Sequence, residues 1–66
     1  MEDYFTIELI TKYKTSPLKA GRLYNADEED QARKEYERLM KDNHVIEMSL
    51  SKIYHHCEVL EDFKRV

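Results

Sequence analysis

The 66-residue sequence has little of several residue types: it contains one cysteine, one proline, one glycine and no tryptophan. Because Cys57 stands alone, no intrachain disulfide can form. No apolar run approaches the roughly 20 residues of a membrane-spanning helix. The acidic residues 1–4 (MEDY) differ from the basic start of a signal peptide. A lone cysteine without an export signal is typical of a reducing compartment, so we expect a cytoplasmic protein with no membrane contact.

The charges exclude further classes of function. Basic and acidic residues, 11 and 14 in number, are interspersed along the chain and give a net charge of −3. A nucleic-acid-binding domain normally shows a basic face, so direct binding to nucleic acid is not expected. A single domain of residues 1–66 buries only about 60% of the surface that its unfolded chain exposes. Since no disulfide supports it, we expect a homodimer to do so.

The apolar pattern predicts a small sheet. Apolar and polar residues alternate over Phe5–Tyr13 and again over Val45–Tyr54, which is the period of a strand. Between them, Arg22–Asn25 is predicted to be a short returning strand. Residues 15–21 hold the only proline and the only glycine, so this segment is predicted to be a loop. The first two strands would then form an antiparallel hairpin.

A helix is predicted from about Asp27 to Lys41. Asn25 followed by Glu28 is the pattern of a capping box at a helix start, and acidic residues in the first turn suit the helix dipole. Its apolar stripe repeats at helical spacing and consists of Ala32, Tyr36, Leu39 and Met40. This stripe would pack on one face of the sheet.

The tail, residues 55–66, fits either a strand or a helix. As a strand it would place Cys57, Val59 and Phe63 on one face, and we favour this alternative. The sequence therefore predicts an α+β fold: one helix on an antiparallel sheet of three or four strands, in the order ββαβ or ββαββ. The third strand is predicted to bury Ile46, Met48, Leu50 and Tyr54. The opposite face would carry Tyr4, Ile10, Val45 and Ile53, and a dimer would form through that face or through a sheet edge.

Residues with catalytic potential are few and poorly arranged. His55, His56 and Cys57 are neighbours, but a zinc site needs three or four ligands on one side of the chain, and alternate strand residues point to opposite faces. A Cys–His catalytic pair rarely forms between direct sequence neighbours. We therefore expect no metal, no cofactor and no enzymatic activity.

Binding residues are easier to nominate. Tyrosine is enriched at binding hot spots because it buries a large area and keeps a polar tip; Tyr36 and Tyr54 are expected at the edge of the core instead. Lys19 of the predicted loop and Arg22 directly after it could contact phosphate, alone or in a dimer cleft. The acidic run at the helix start could mimic nucleic acid. The candidate binding residues are Tyr4, Tyr24, Lys19, Arg22, Asp27, Glu28 and Asp30.

The succession of an opening YFTIEL strand, an ADEEDQARKEYERLMKDN helix, a VIEMSLSKIY strand and a CEVLEDF ending resembles small accessory proteins that bacteriophages encode. The resemblance spans nearly the whole chain and concerns structural segments. It implies a protein that binds and blocks or sequesters a host factor, such as a component of antiviral defence, in the host cytoplasm. Sequestration of a small nucleotide ligand by a dimer is the alternative.

Overall fold

The computed structural model of the chain describes residues 3–13 and 16–65. Its elements are strand β1 (Tyr4–Tyr13), strand β2 (Ser16–Asn25), a 3-10 turn (Ala26–Glu28), helix α1 (Glu29–Met40), strand β3 (Val45–Ile53) and strand β4 (Cys57–Lys64). All neighbouring strands are antiparallel, in the order β2-β1-β3-β4. The helix packs against one face of this sheet. The predicted α+β fold is confirmed, in its four-stranded ββαββ form.

Local side-chain contacts fix both ends of the helix. At the start, the backbone N–H of Asn25 donates to Glu28 Oε1 at 2.7 Å, as the capping box predicts. One turn later, Arg33 Nε donates to Glu29 Oε2 at 2.9 Å. At the other end, the Arg65 guanidinium donates to the carbonyl oxygens of Met40 and Asp42. The Met40 carbonyl is one that the helix terminus leaves without an intrahelical partner, and Arg65 thereby satisfies it.

The core lies between the helix and the face of the sheet that the helix covers. Tyr36 is 1% exposed, and its ring meets the ring of Phe63 edge-on at 6.1 Å. Such edge-to-face pairs stabilise beyond the area that they bury. Met40, predicted to belong to the apolar stripe, remains exposed. The buried apolar residues are Phe5, Ile7, Leu9, Ala32, Tyr36, Leu39, Val45, Met48 and Leu50.

Two irregularities in the sheet overturn the predicted facing of individual residues. The β1–β3 register shifts between Ile10 and Thr11, so that Thr11 pairs with Val45. Val45 therefore lies in the core, not on the opposite face, and Ile46 is only half-buried. The β3–β4 register shifts where Ser51 pairs with Val59 and Leu50 with Glu61, leaving Leu60 as the extra residue. Residues that follow an extra residue point to the face opposite to the one that simple alternation predicts. Phe63 accordingly packs against the core, whereas Val59 does not.

The predicted loop over residues 15–21 is wrong from Ser16 onwards. Strand β2 begins at Ser16, so it includes both Pro17 and Gly21. Proline is tolerated there because β2 is an edge strand and lacks a neighbour on its outer side. Thr15, the first residue of the predicted loop, lies outside the described residues, as do Met1, Glu2, Lys14 and Val66. The tail is a strand, so its helical alternative is wrong.

Candidate functional site

A depression of about 440 Å³ opens where β2 passes into the helix. It forms because Tyr4, at the start of β1, pairs with Asn25, at the end of β2, and because the capping contact draws Glu28 back towards the strand. The lining residues of this tyrosine depression are Asp3, Tyr4, Leu23, Tyr24, Asn25 and Glu28. It unites three of the seven candidate binding residues, Tyr4, Tyr24 and Glu28.

The two tyrosines of the depression differ in environment. Tyr4 lies on the face of the sheet away from the helix and is 38% exposed. Tyr24 lies on the helix side, partly buried against the core. This burial raises the pKa of the Tyr24 hydroxyl, and the nearby Glu35 carboxylate raises it further. Tyr24 therefore stays protonated at neutral pH, and its hydroxyl lies near Glu35 of the helix.

Acidic residues of the helix start lie beside the depression. Asp27 and Asp30 are exposed and make no ion pair within the described residues. Glu28 already accepts the capping hydrogen bond. Arg33 is held between Glu29, at 2.9 Å, and Glu61 of β4, at 3.3 Å. Asp27 and Asp30 are thus the carboxylates that remain available to a cationic partner.

Arg22 and Lys19 do not form a joint basic site within one chain. Alternate residues of a strand face opposite ways, so Arg22 lies on the helix side and Lys19 on the other side. Arg22 Nε contacts Glu35 Oε2 at 3.1 Å. Glu35 also accepts a hydrogen bond from Arg38, at 2.5 Å. The hydrogen bond from Arg38, with that from Arg22, lowers the pKa of Glu35 from 4.5 to about 2.

The face of the sheet away from the helix, here called the open face, is divided into two halves. Its residues align across the four strands in rows. Two of the rows are uncharged. The first consists of Asn25, Tyr4, Ile53 and Cys57. The second consists of Leu23, Thr6, Ser51 and Val59. Two charged rows consist of Gly21, Glu8, Ser49 and Asp62, and of Lys19, Ile10, Glu47 and Lys64. In the uncharged rows, Leu23 is 74% and Val59 56% exposed.

A groove of about 720 Å³ crosses the charged rows, with Glu8, Lys19, Asp62 and Lys64 among its lining residues. Gly21 leaves a gap in the side chains of β2 at this place. Sequence reasoning missed the groove because it assigned Gly21 to a loop. The missing signal was the alternation within β2, where Lys19, Gly21 and Leu23 share one face and Ala20, Arg22 and Tyr24 share the other.

The segment with His55, His56 and Cys57 forms the turn between β3 and β4. The backbone N–H of Tyr54 donates to the carbonyl oxygen of His56 at 2.9 Å, which closes the turn. Both histidines and the cysteine are exposed. Across residues 3–13 and 16–65, no group of three or more His, Cys, Asp or Glu side chains is arranged to hold a metal ion. Nor does any helix there have the length and apolar character to cross a membrane.

Comparison with known proteins gives no match. No family model matches the chain, and neither a curated protein nor a solved structure does. The function is therefore inferred from three surfaces: the tyrosine depression, the acidic helix start beside it, and the open face.

Proposed function

We propose that the chain is a non-enzymatic interaction module that binds and blocks or sequesters another protein. The observation that carries the proposal is the tyrosine depression, which Tyr4, Leu23 and Tyr24 line at the end of the β1–β2 hairpin. The helix start beside it carries two carboxylates, Asp27 and Asp30, that have no ion pair within the described residues. The resemblance to phage accessory proteins supports a host protein of antiviral defence as the target, bound in the host cytoplasm.

The depression has the physical character of a binding hot spot. Hot spots combine an aromatic anchor that loses water on binding with surroundings that exclude solvent. Tyr4 supplies an exposed ring, and Leu23 supplies apolar surface next to it. Tyr24 lines the depression with a residue that already packs against the core. A protruding side chain of a partner would bury these groups at little cost in side-chain entropy.

The charges beside the depression specify the partner's chemistry. Asp27 and Asp30 are exposed at the helix start and make no ion pair within the described residues. A basic surface on the partner would meet these carboxylates, and such complementarity mainly accelerates association and excludes wrong partners. We therefore infer a target with a basic patch around an apolar or aromatic protrusion.

The proposal is tested by affinity capture from the native host with paired variants. The tagged wild-type chain, Tyr4→Ala and Asp30→Lys are compared with two controls, Leu18→Ala and Glu37→Lys. Leu18 is an exposed apolar residue of β2 outside the depression. Glu37 is an exposed acid of the same helix as Asp30 and has no ion pair within the described residues. Circular dichroism confirms that each variant is folded.

We expect one protein to be retained by the wild type and by both controls, and to be lost or weakened about tenfold or more with Tyr4→Ala. With Asp30→Lys, the association rate should fall most, and the fall should be smaller at high salt. Equal retention by all five chains would place the binding surface elsewhere. Retention of no protein by the wild type would contradict the proposal as a whole.

The other candidate functions receive less support from the geometry. A nucleotide site built from Lys19 and Arg22 would need residues from two chains, since the two side chains lie on opposite faces. A nucleic-acid mimic requires a continuous array of negative charge, but Arg33 interrupts the acidic surface by contacting both Glu29 and Glu61. Displacement of the captured protein by duplex DNA would instead support a nucleic-acid mimic.

A further inference from the structure

The two edges of the sheet carry opposite charge. Strand β2 contains Lys19 and Arg22 and no acidic residue, while β4 contains Glu58, Glu61 and Asp62 with Lys64 as its one basic residue. Two copies paired through β2 alone, or through β4 alone, would bring like charges together, and like charges directly opposite on neighbouring strands are destabilising. Pairing of β2 with β4 of a second copy brings opposite charges together.

A single register satisfies the charged and the apolar residues of both edges. It places Lys19 opposite Asp62 of the second copy, and Arg22 opposite Glu58. Lys19 and Arg22 are three positions apart on β2, whereas Asp62 and Glu58 are four positions apart on β4. Both pairs can form because Leu60 is an extra residue of β4, as it is in the pairing of β4 with β3. The same register places Leu18 opposite Phe63, and Leu23 opposite Cys57. Leu18, at 59% exposed, and Leu23 would both gain apolar neighbours.

The strand directions permit this seam to form twice. Neighbouring strands in the order β2-β1-β3-β4 are antiparallel, so β2 and β4 run in opposite directions. A twofold axis along the strands therefore places β4 of each copy antiparallel to β2 of the other. Two four-stranded sheets joined in this way make a closed barrel of eight strands, a size at which side chains can fill the interior. Closure removes both open edges.

The charges of the open face are balanced in sign, as their pairing inside such a barrel requires. Its described charges balance at three acidic residues, Glu8, Glu47 and Asp62, against three basic residues, Lys12, Lys19 and Lys64. Buried charges need partners of the opposite sign, and none of these six has an ion-pair partner within the described part of the chain. The uncharged rows would fill one end of the barrel, and the charged rows would meet at the other.

We propose that two copies of this chain close into an eight-stranded antiparallel barrel, in which β2 of each pairs with β4 of the other and both helices lie outside. The row of Tyr4 and Asn25 stands at one mouth of this barrel, so this part of the tyrosine depression stays within reach of a partner protein, while the seam covers Leu23. The proposal concerns the chain alone and is tested without any other protein. Its failure would therefore leave the proposed target binding standing.

Directed disulfide formation tests the seam. In Leu23→Cys, the register places the new thiol opposite Cys57 of the second copy. Within one chain, positions 23 and 57 are three strand spacings apart, about 14 Å, which is too far for a disulfide. Under mild oxidation we expect one covalent dimer with two disulfides, seen on a non-reducing gel at twice the chain mass of 8.0 kDa. The control Leu18→Cys places an exposed thiol opposite Phe63 and should cross-link far more slowly.

Each other outcome of this experiment overturns a part of the proposal. A ladder of higher oligomers would show an open head-to-tail array instead of a closed barrel. Equal cross-linking of Leu23→Cys and Leu18→Cys would show random collision. Cross-linking that persists in the double variant Leu23→Cys, Cys57→Ser would show pairing of β2 with β2. Each of these results contradicts the barrel.

Charge reversal provides a second measurement that does not depend on cysteine chemistry. Lys19→Glu and Asp62→Lys should each raise the dimer dissociation constant about tenfold, and the double variant should recover most of the loss. Neither residue has an ion pair within the described chain, so the protomer should remain folded. The control Glu37→Lys should leave the constant unchanged. Tighter association of Asp62→Lys alone would show pairing of β4 with β4 and overturn the barrel.

Discussion

The two faces of the sheet carry similar numbers of charged residues and use them differently. On the helix side, Arg22 and Arg38 contact Glu35, Arg33 contacts Glu29 and Glu61, and Lys52 contacts Asp3. On the open face, none of the six described charged side chains has an ion pair. These charged side chains of the helix side are therefore paired with one another, whereas the open face keeps unpaired charges and exposed apolar residues in separate halves.

This difference indicates which face maintains the fold and which face serves contacts with other molecules. A side chain buried under the helix contributes to stability in every protomer. A side chain of the open face contributes little until another molecule covers it, because solvent already surrounds it. Substitutions matched in chemistry but placed on opposite faces therefore measure the difference directly.

The largest contrast is expected between Leu50→Ala and Leu23→Ala. Leu50 is completely buried under the helix, and removing its side chain should cost about 2–5 kcal/mol of unfolding free energy. Leu23 is exposed, and the same deletion should change the stability of the dilute protomer by less than about 0.5 kcal/mol. Urea unfolding measures both. Equal losses at low concentration would show that the open face is not free; a Leu23→Ala loss that grows with concentration would support the barrel.

An ion pair of the helix side is tested by Glu35→Gln, with Glu8→Gln of the open face as its control. Glu35→Gln should lose about 1 kcal/mol at pH 7, because it weakens the contacts with Arg22 and Arg38. The folded-state pKa of Glu35, about 2, lies below its ordinary value of 4.5. Its stabilising contribution is thus complete above pH 4.5 and is lost as the pH falls towards 2.

In pH-dependent unfolding, the difference between wild type and Glu35→Gln should shrink steadily from pH 4.5 downwards. Glu8→Gln should change the unfolding free energy by less than about 0.5 kcal/mol at pH 7, since Glu8 is exposed and has no ion pair within the described residues. A difference that stays constant down to pH 2 would mean that the Glu35 charge does not stabilise the fold.

Tyr36→Phe tests whether the buried polar groups of the helix side all have hydrogen-bond partners. The Tyr36 hydroxyl is the one buried side-chain polar atom among the described residues that lacks a hydrogen-bond partner. Burial raises the pKa of this hydroxyl, which therefore stays protonated. Since a buried donor without a partner is costly, Tyr36→Phe should leave stability unchanged or raise it by up to about 1 kcal/mol. A loss of stability on thermal unfolding would reveal a partner for the hydroxyl.

The smallest effect is expected at Gly21, on the open face. A Cβ at this position would lie 3.6 Å from the carbonyl oxygen of Ile7, an ordinary contact. Gly21→Ala should therefore stabilise the protomer by about 0.5 kcal/mol, because glycine loses more conformational entropy in a strand. Ala20→Gly, on the helix side of the same strand, should lose a similar amount. Destabilisation by Gly21→Ala would show that the groove floor admits no side chain.

The sequence predicts the elements better than it predicts the faces. The helix start follows from Asn25 and Glu28, and the buried face of β1 follows from simple alternation. Alternation fails at Val45 and Phe63, because each lies beyond an extra residue that shifts the register. Such shifts result from contacts between strands and leave no local mark in the sequence.

The candidate site shows the same limit. Tyr4, Tyr24 and Glu28 meet because the first strand pairs with the end of the second, a neighbourhood that a hairpin prediction implies. The groove at Gly21 and the opposite charge of the two edges depend on the full extent of β2. Proline and glycine signal a turn on average, but on an edge strand the outer backbone groups have no partner to lose. The composition of β2 therefore indicated a loop where the chain is extended.

The pairing of β1 with β3 determines how the chain reaches this structure. Tyr4 and Ile53 pair although they lie 49 positions apart in the sequence, whereas the hairpins β1–β2 and β3–β4 each close a short segment. Short hairpins form within microseconds, and bringing distant segments together adds an entropic barrier. We therefore expect docking of one hairpin on the other to be the slow step of folding. Substitutions in the central ladder should then mainly slow folding, and substitutions in the outer strands should mainly speed unfolding.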